Sequence, residues 1–183
     1  SSGLLPNHAK PMESAMTSSR TPAPEWQLQR WFNTPQALSV ASLQGKVIVL
    51  EAFQMLCPGC VSEGLPQAQR VHATFSPEQV AVIGLHTVFE HHQAMTTVAL
   101  EAFLHEYRIP FPVAVDLPDP QHAIPCTMQA YSMRGTPTLI LIDAEGFIRQ
   151  HYFGKVSDLV LGAEIAMLIA EAAAPRQSNN AAD

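Results

Sequence analysis

The sequence predicts an α/β domain with a central mixed β-sheet and helices on both faces. Apolar runs of strand length alternate with longer segments of helical character, the pattern of a sheet covered on both sides. The run Val47-Ile48-Val49-Leu50-Glu51-Ala52-Phe53 lacks polar–apolar alternation, as expected of a strand buried on both faces. A tight turn at Ala144-Glu145-Gly146 joins residues 138–143 to residues 147–153, and this closing hairpin makes the sheet mixed.

The 183 residues are 47% hydrophobic and 14% charged, enough for one domain with a real core and too apolar for disorder. No uninterrupted apolar stretch of about 18 residues is present, so no membrane span is expected. A net charge of −6 with 10 Lys+Arg argues against nucleic-acid binding. Three cysteines are too few for a disulfide scaffold.

Residues 1–24, rich in Pro, Ser, Thr and Ala, read as an unstructured lead-in, with residues 1–11 as an appended linker rather than a signal peptide. Residues 25–174 read as the single domain and 175–183 as a frayed tail. Residues 26–42 suggest a small hairpin or an extended leading segment. The strand at 47–53 follows, then Cys57-Pro58-Gly59-Cys60 and a helix from 58 to about 75. Leu65, Ala68, Val71, His72 and Phe75 form its inner stripe, and Pro66 is expected to kink it. Residues 80–88 make a second buried strand. Residues 94–107 read as a helix with Val98, Phe103, Leu104 and Tyr107 inward. A short strand at 113–116 and a helix at 125–133 precede the closing hairpin. Ser157 is placed to cap a last helix over 158–173, with Asp158 favourable at its positive end.

The chemistry concentrates in the cysteine pair. A closed structural zinc site requires further Cys or His ligands in matching spacing, which the chain does not offer. A redox-active pair belongs after a buried strand at a helix start, where unpaired N–H groups and the positive end of the dipole lower the first thiol's pKa. The third cysteine, Cys126, reads as a small buried hydrophobe. His91 and His92 read as a solvated pair.

In Cys57-Pro58-Gly59-Cys60, in Gly135-Thr136-Pro137-Thr138 opening a later strand, in residues 38–47 ahead of the first core strand, and in Ile142-Asp143-Ala144-Glu145-Gly146-Phe147-Ile148, the chain resembles the thioredoxin superfamily. Within it the chain is similar to TlpA/ResA-like thiol-disulfide oxidoreductases with a redoxin, AhpC/TSA-type core, over roughly residues 31–170. Leu56 replaces the aromatic residue usual before the first cysteine, and Pro66 lies one residue later than the family's kinking proline. The resemblance implies a thioredoxin fold with an N-terminal β-hairpin extension and four catalytic residues. Cys57 is expected as the nucleophile and Cys60 as the resolving thiol. The resemblance implies that Glu51, on the first core strand, accepts the proton of Cys60, and that Glu63 tunes the thiols. Pro137 is expected in the cis form, and Thr136, Pro137, Pro58 and Gly59 face the substrate.

The expected activity is disulfide reduction through a mixed disulfide. A peroxiredoxin-like thiol peroxidase is the alternative, disfavoured because Gln54 stands where that chemistry places a threonine. A copper-binding chaperone ranks below it. No cofactor or metal is expected. The expected partners are a disulfide-containing protein or small molecule and an electron-donor thiol system, and the chain is expected to be a monomer. The expected compartment is the cytoplasm, where thiols are kept reduced, with the bacterial periplasm as the alternative.

Overall fold

The computed structural model describes residues 20–175. Seven strands form one sheet in the order β1-β7-β6-β3-β4-β5-β2. They are β1 (Thr21–Pro22), β2 (Leu28–Phe32), β3 (Val47–Phe53), β4 (Val80–His86), β5 (Val113–Asp116), β6 (Thr138–Ile142) and β7 (Phe147–Phe153). Strands β3, β4 and β5 run parallel, and β6 pairs antiparallel with both β3 and β7. The helices are α1 (Leu65–Thr74), α2 (Thr97–Glu106), α3 (Cys126–Ala130) and α4 (Asp158–Ala173). This is the mixed, two-faced sheet that the sequence predicts.

Strand β3 is buried along its whole length. Its period of two divides it between two cores. Val47, Val49 and Phe53 pack with Leu65, Ala68 and Val71 of α1, Leu100 and Leu104 of α2, and Leu161, Ile165 and Leu168 of α4. Ile48, Leu50 and Ala52 pack on the opposite face with Val40, Leu43, Met128, Tyr131 and Met133. Glu51 shares the parity of Val49 and Phe53, so the sheet directs it toward the α1 side.

The N-terminal segment differs from the expected hairpin. β1 pairs with β7 and β2 with β5, so the two strands extend opposite edges of the sheet. Residues 39–45, expected within a leading hairpin, form successive turns that bury Val40 and Leu43. Alternation identifies a strand but not its partner, and here each short strand finds an open edge. Thr21 and Pro22, expected in the lead-in, are paired residues. The expectations for residues 1–19 and 176–183 fall outside the described residues.

Residues 23–28 are held by side chains that sequence pattern does not reveal. Tyr131 Oη donates to the Pro24 carbonyl at 2.6 Å and accepts from Trp26 Nε1 at 3.1 Å. Thr127 Oγ1 accepts the Gln27 N–H and donates to the Gln27 carbonyl. Tyr131→Phe is therefore expected to cost about 1–2 kcal/mol, read from the urea midpoint at unchanged slope.

Two helical expectations shift. The helix after the cysteines opens with a wide π-type turn, Cys60–Gly64, in which the Leu65 N–H reaches back to the Cys60 carbonyl. Pro66 consequently sits in the first turn of α1, where its missing N–H leaves little unmade, and the irregularity precedes the proline instead of kinking the helix at it. In α2, Leu100 and Leu104 face the core, whereas Val98 is 76% and Tyr107 52% exposed. Thr96 caps α2 through the Ala99 N–H and starts it later than the expected residue 94. The segment is apolar on more than one face, so periodicity alone does not select the stripe that packs. Ser157 caps α4 through the Val160 N–H, as the sequence predicts.

Candidate active site

The sheet, the first helical turn and the loop before β6 converge on the cysteine pair. β3 ends at Phe53, residues 54–56 turn the chain, and Cys57 and Cys60 form a disulfide with their Cα atoms 5.2 Å apart. The Cys60 N–H points at Cys57 Sγ, 3.2 Å away, while the Cys60 and Val61 amides also approach the Cys57 carbonyl at 3.0 and 3.1 Å. Amides aimed at a sulfur favour its thiolate. The two cysteines are unequal in exposure. Cys57 is half-buried, and Cys60 is 0% exposed.

Opposite the pair, the Thr136–Pro137 peptide is cis. The Thr136 carbonyl oxygen lies 3.5 Å from Cys57 Sγ. The loop is fixed at both ends, because Thr138 Oγ1 donates to the Gly135 carbonyl and the Gly154 N–H donates to the Pro137 carbonyl. Pro58 is exposed, and Gly59 is half-buried against Pro137. Cys57, Cys60, Pro58, Gly59, Thr136 and Pro137 are thus brought together at one end of the sheet.

Glu51 lies beneath them and is 1% exposed. Burial pushes its carboxyl well above the ordinary carboxylate range. Among the described residues, its Oε1 has no hydrogen-bond partner. It packs directly on Gly64, where a Cβ would overlap Oε1 and meet Pro137 Cβ at 3.0 Å. Gly64 is therefore a site residue that sequence reasoning missed. Its signal is a glycine four residues after Cys60, within a segment otherwise suited to helix, where glycine is unfavourable unless space demands it.

Glu51 borders a cavity of about 470 Å³ also lined by Gly59, Glu63, Gly64, Pro137 and Lys155. Glu63 is exposed and lies 3.5 Å from Lys155 Nζ. The structure thus places Glu63 in an ion pair at the cavity's exposed side, with Lys155 as a partner that the sequence did not indicate. Around the disulfide, Leu56 is 55% and Phe153 49% exposed, and the Arg134 guanidinium lies over the Phe153 ring.

The remaining candidates lie elsewhere. Cys126, expected to be buried, is half-buried at the first position of α3, and burial together with nearby Asp119 and Asp116 raises its thiol pKa. His91 and His92 are exposed, and His92 Nε2 lies 3.2 Å from the Ala123 carbonyl. Among the described residues, no three His, Cys, Asp or Glu side chains are grouped to hold a metal ion.

The profile of the AhpC/TSA family matches residues 20–151. The chain belongs to the AhpC/TSA family. It is 28% identical over 151 residues to the thiol:disulfide interchange protein DsbE of Allochromatium vinosum, covering 81% of this chain and 74% of that protein. It is 24% identical to the thiol-disulfide oxidoreductase ResA of Halalkalibacterium halodurans, covering 68% of this chain and 64% of that one. Among solved structures it is similar to a thioredoxin-like superfamily protein at 63% identity and a TM-score of 0.82, over 85% of this chain and 99% of the other. A thiol-disulfide isomerase from Corynebacterium glutamicum is 51% identical with a TM-score of 0.79, over 82% and 97% of the two chains. This AhpC/TSA-family chain is a TlpA/ResA-like member of the thioredoxin superfamily and a thioredoxin-like thiol-disulfide oxidoreductase.

Proposed function

We propose that this oxidoreductase works as a disulfide reductase through the Cys57–Cys60 dithiol. The observation that carries the dithiol mechanism is the unequal exposure of the two cysteines, with Cys57 half-buried and Cys60 fully buried at a helix start. The Cys57 thiolate attacks one sulfur of a substrate disulfide, forming a mixed disulfide and expelling the other substrate sulfur as a thiolate. Cys60 loses its proton, attacks Cys57 Sγ and expels the second substrate thiolate. The enzyme is left with the Cys57–Cys60 disulfide, which an external thiol system reduces again by two electrons.

Glu51 is the proposed proton acceptor for Cys60. Its raised pKa brings it nearer to that of a thiol, which lessens the cost of proton transfer between them. The adjoining cavity gives the carboxyl a route to exchange that proton with solvent. Thr136 and Pro137 form the proposed substrate-facing wall, with the Thr136 backbone available to pair with an extended substrate. Pro58 and Gly59 form the opposite lip. Glu63, tied to Lys155, is proposed to act on the thiols through the charge balance of the cavity. The thiol peroxidase reading gains no support from Gln54, which is buried with its Oε1 accepting the Phe89 N–H, so no hydroxyl is offered there.

The direction of transfer is tested by equilibrating the protein with glutathione buffers. A potential near about −270 mV supports a reductase working where thiols are kept reduced, as in the cytoplasm. A potential near about −120 mV overturns the reductase direction and favours an oxidant of the bacterial periplasm.

A further inference from the structure

The turn that delivers Cys57 is held from beneath by a side chain to which the mechanism above gives no part. Met55, two residues before Cys57, donates its backbone N–H to Nε2 of His86 at 3.2 Å. His86 is the last residue of β4 and is 1% exposed. Its backbone is set by register, opposite Phe53 on one side and Val115 on the other. Its ring packs against Phe53 with centroids 5.1 Å apart. Beyond the ring lies a cavity of about 560 Å³, whose lining includes His92, His122, Asp116 and Asp119.

Burying an imidazole at the end of an apolar strand costs free energy unless its nitrogens are used. The use on view is the Met55 amide. An Nε2 that accepts an N–H belongs to the neutral ring with its proton on Nδ1. Burial agrees with that state, holding the His86 pKa down at about 4. The neighbouring Gln54 is tied in parallel through the Phe89 N–H, so the turn is anchored at two successive residues.

We infer that His86 is a positioning residue for Cys57: its Nε2 fixes the Met55 amide and so holds the turn that places Cys57 Sγ against the Cys60 N–H and the Thr136 carbonyl. The inference rests on the proposed role of Cys57 as nucleophile. Without the anchor the turn relaxes, the Cys60 N–H no longer meets the sulfur squarely, and the thiolate is less favoured.

His86→Leu keeps similar bulk and removes the acceptor, whereas His86→Gln sets an amide oxygen near the position of Nε2. Both are read in the reduced full-length protein by the pH dependence of Cys57 alkylation with iodoacetamide, and by equilibration of the cysteine pair with glutathione. Alkylation of the Leu variant at neutral pH is expected to slow about five- to tenfold, the worth of about one hydrogen bond, with its thiol pKa raised and its potential displaced. The Gln variant should stay within about twofold of the wild type in each readout. If His86→Leu does not fold, His86→Asn, whose shorter amide falls short of Met55, replaces it with the same expectation. Equal impairment of the variant lacking the acceptor and the Gln variant, or wild-type behaviour of both, overturns the positioning role. A wild-type protein without disulfide exchange overturns the nucleophile reading itself, whereas an active wild type with indifferent variants overturns the role of His86 alone.

Discussion

Replacing Cys57 with serine should abolish disulfide exchange by several orders of magnitude, because a hydroxyl at neutral pH cannot supply the nucleophile that a stabilised thiolate does. Replacing Cys60 with serine should have a different outcome. Cys57 is half-buried and keeps its access, so the first step proceeds, while the fully buried Cys60 is no longer there to resolve the adduct. The Cys60→Ser protein should therefore accumulate a stable mixed disulfide with an aromatic disulfide probe, seen as an added thiol on the peptide that carries Cys57 by mass measurement under non-reducing conditions, apart from any label on the free Cys126. Turnover with dithiothreitol as donor should be slowed in both variants. The reverse pattern, with the adduct forming on Cys57→Ser and not on Cys60→Ser, would exchange the roles of the two sulfurs. No adduct on either would remove the mixed-disulfide route.

Glu51→Leu should separate stability from activity. The wild type buries a carboxyl whose Oε1 has no partner among the described residues, an arrangement that costs about 1–3 kcal/mol. A leucine of similar bulk removes that cost, and the variant should be more stable by a comparable amount at neutral pH. The same change should slow exchange on the order of a hundredfold or more, the usual contribution of a positioned proton acceptor. The linkage has a definite sign. The folded pKa of Glu51 is raised, so above the ordinary carboxylate value the unfolded chain gives up a proton that the folded chain keeps. Glu51 thus makes stability fall as pH rises from its unfolded pKa toward its folded one, with a slope approaching about 1.4 kcal/mol per pH unit. Below the unfolded pKa the carboxyl is protonated in both states and the pH-linked part of the penalty disappears. Urea melts across this window should show the slope reduced in Glu51→Leu. An unchanged slope would assign the pH dependence to other groups, and an unchanged exchange rate would remove Glu51 from the proton transfer.

Local chemistry explains why some of the protein was legible in one dimension. Val47–Phe53 reads as a doubly buried strand because a run apolar at every position but Glu51 has no polar face to offer water. Gly146, at a φ of 93°, closes the β6–β7 turn with the conformation that glycine tolerates best, and Ser157 caps α4 through its own hydroxyl. The cysteine pair, its place after a strand and the Gly135-Thr136-Pro137-Thr138 loop were likewise local patterns. The misreadings concern choices among partners. Two short N-terminal strands could pair with each other or with distant edges, and the open edges of β7 and β5 took them. An α2 apolar on several sides could turn more than one stripe inward, and its contacts selected Leu100 and Leu104. For Pro66, the wide turn ahead of it absorbed the expected kink.

By itself, then, the sequence determined the α/β class, the strands and their caps, and the reactive pair, because each depends on residues within a few positions of one another. Tertiary structure alone decided that Cys60 is buried while Cys57 is reachable, that Glu51 rests on Gly64 beside a cavity with no partner for its Oε1 among the described residues, that Lys155 meets Glu63, and that His86 holds the Met55 amide. Each of these joins residues from different elements. Burial and hydrogen bonding across such distances are set by how the sheet stacks its strands and helices, and no local spacing encodes that arrangement.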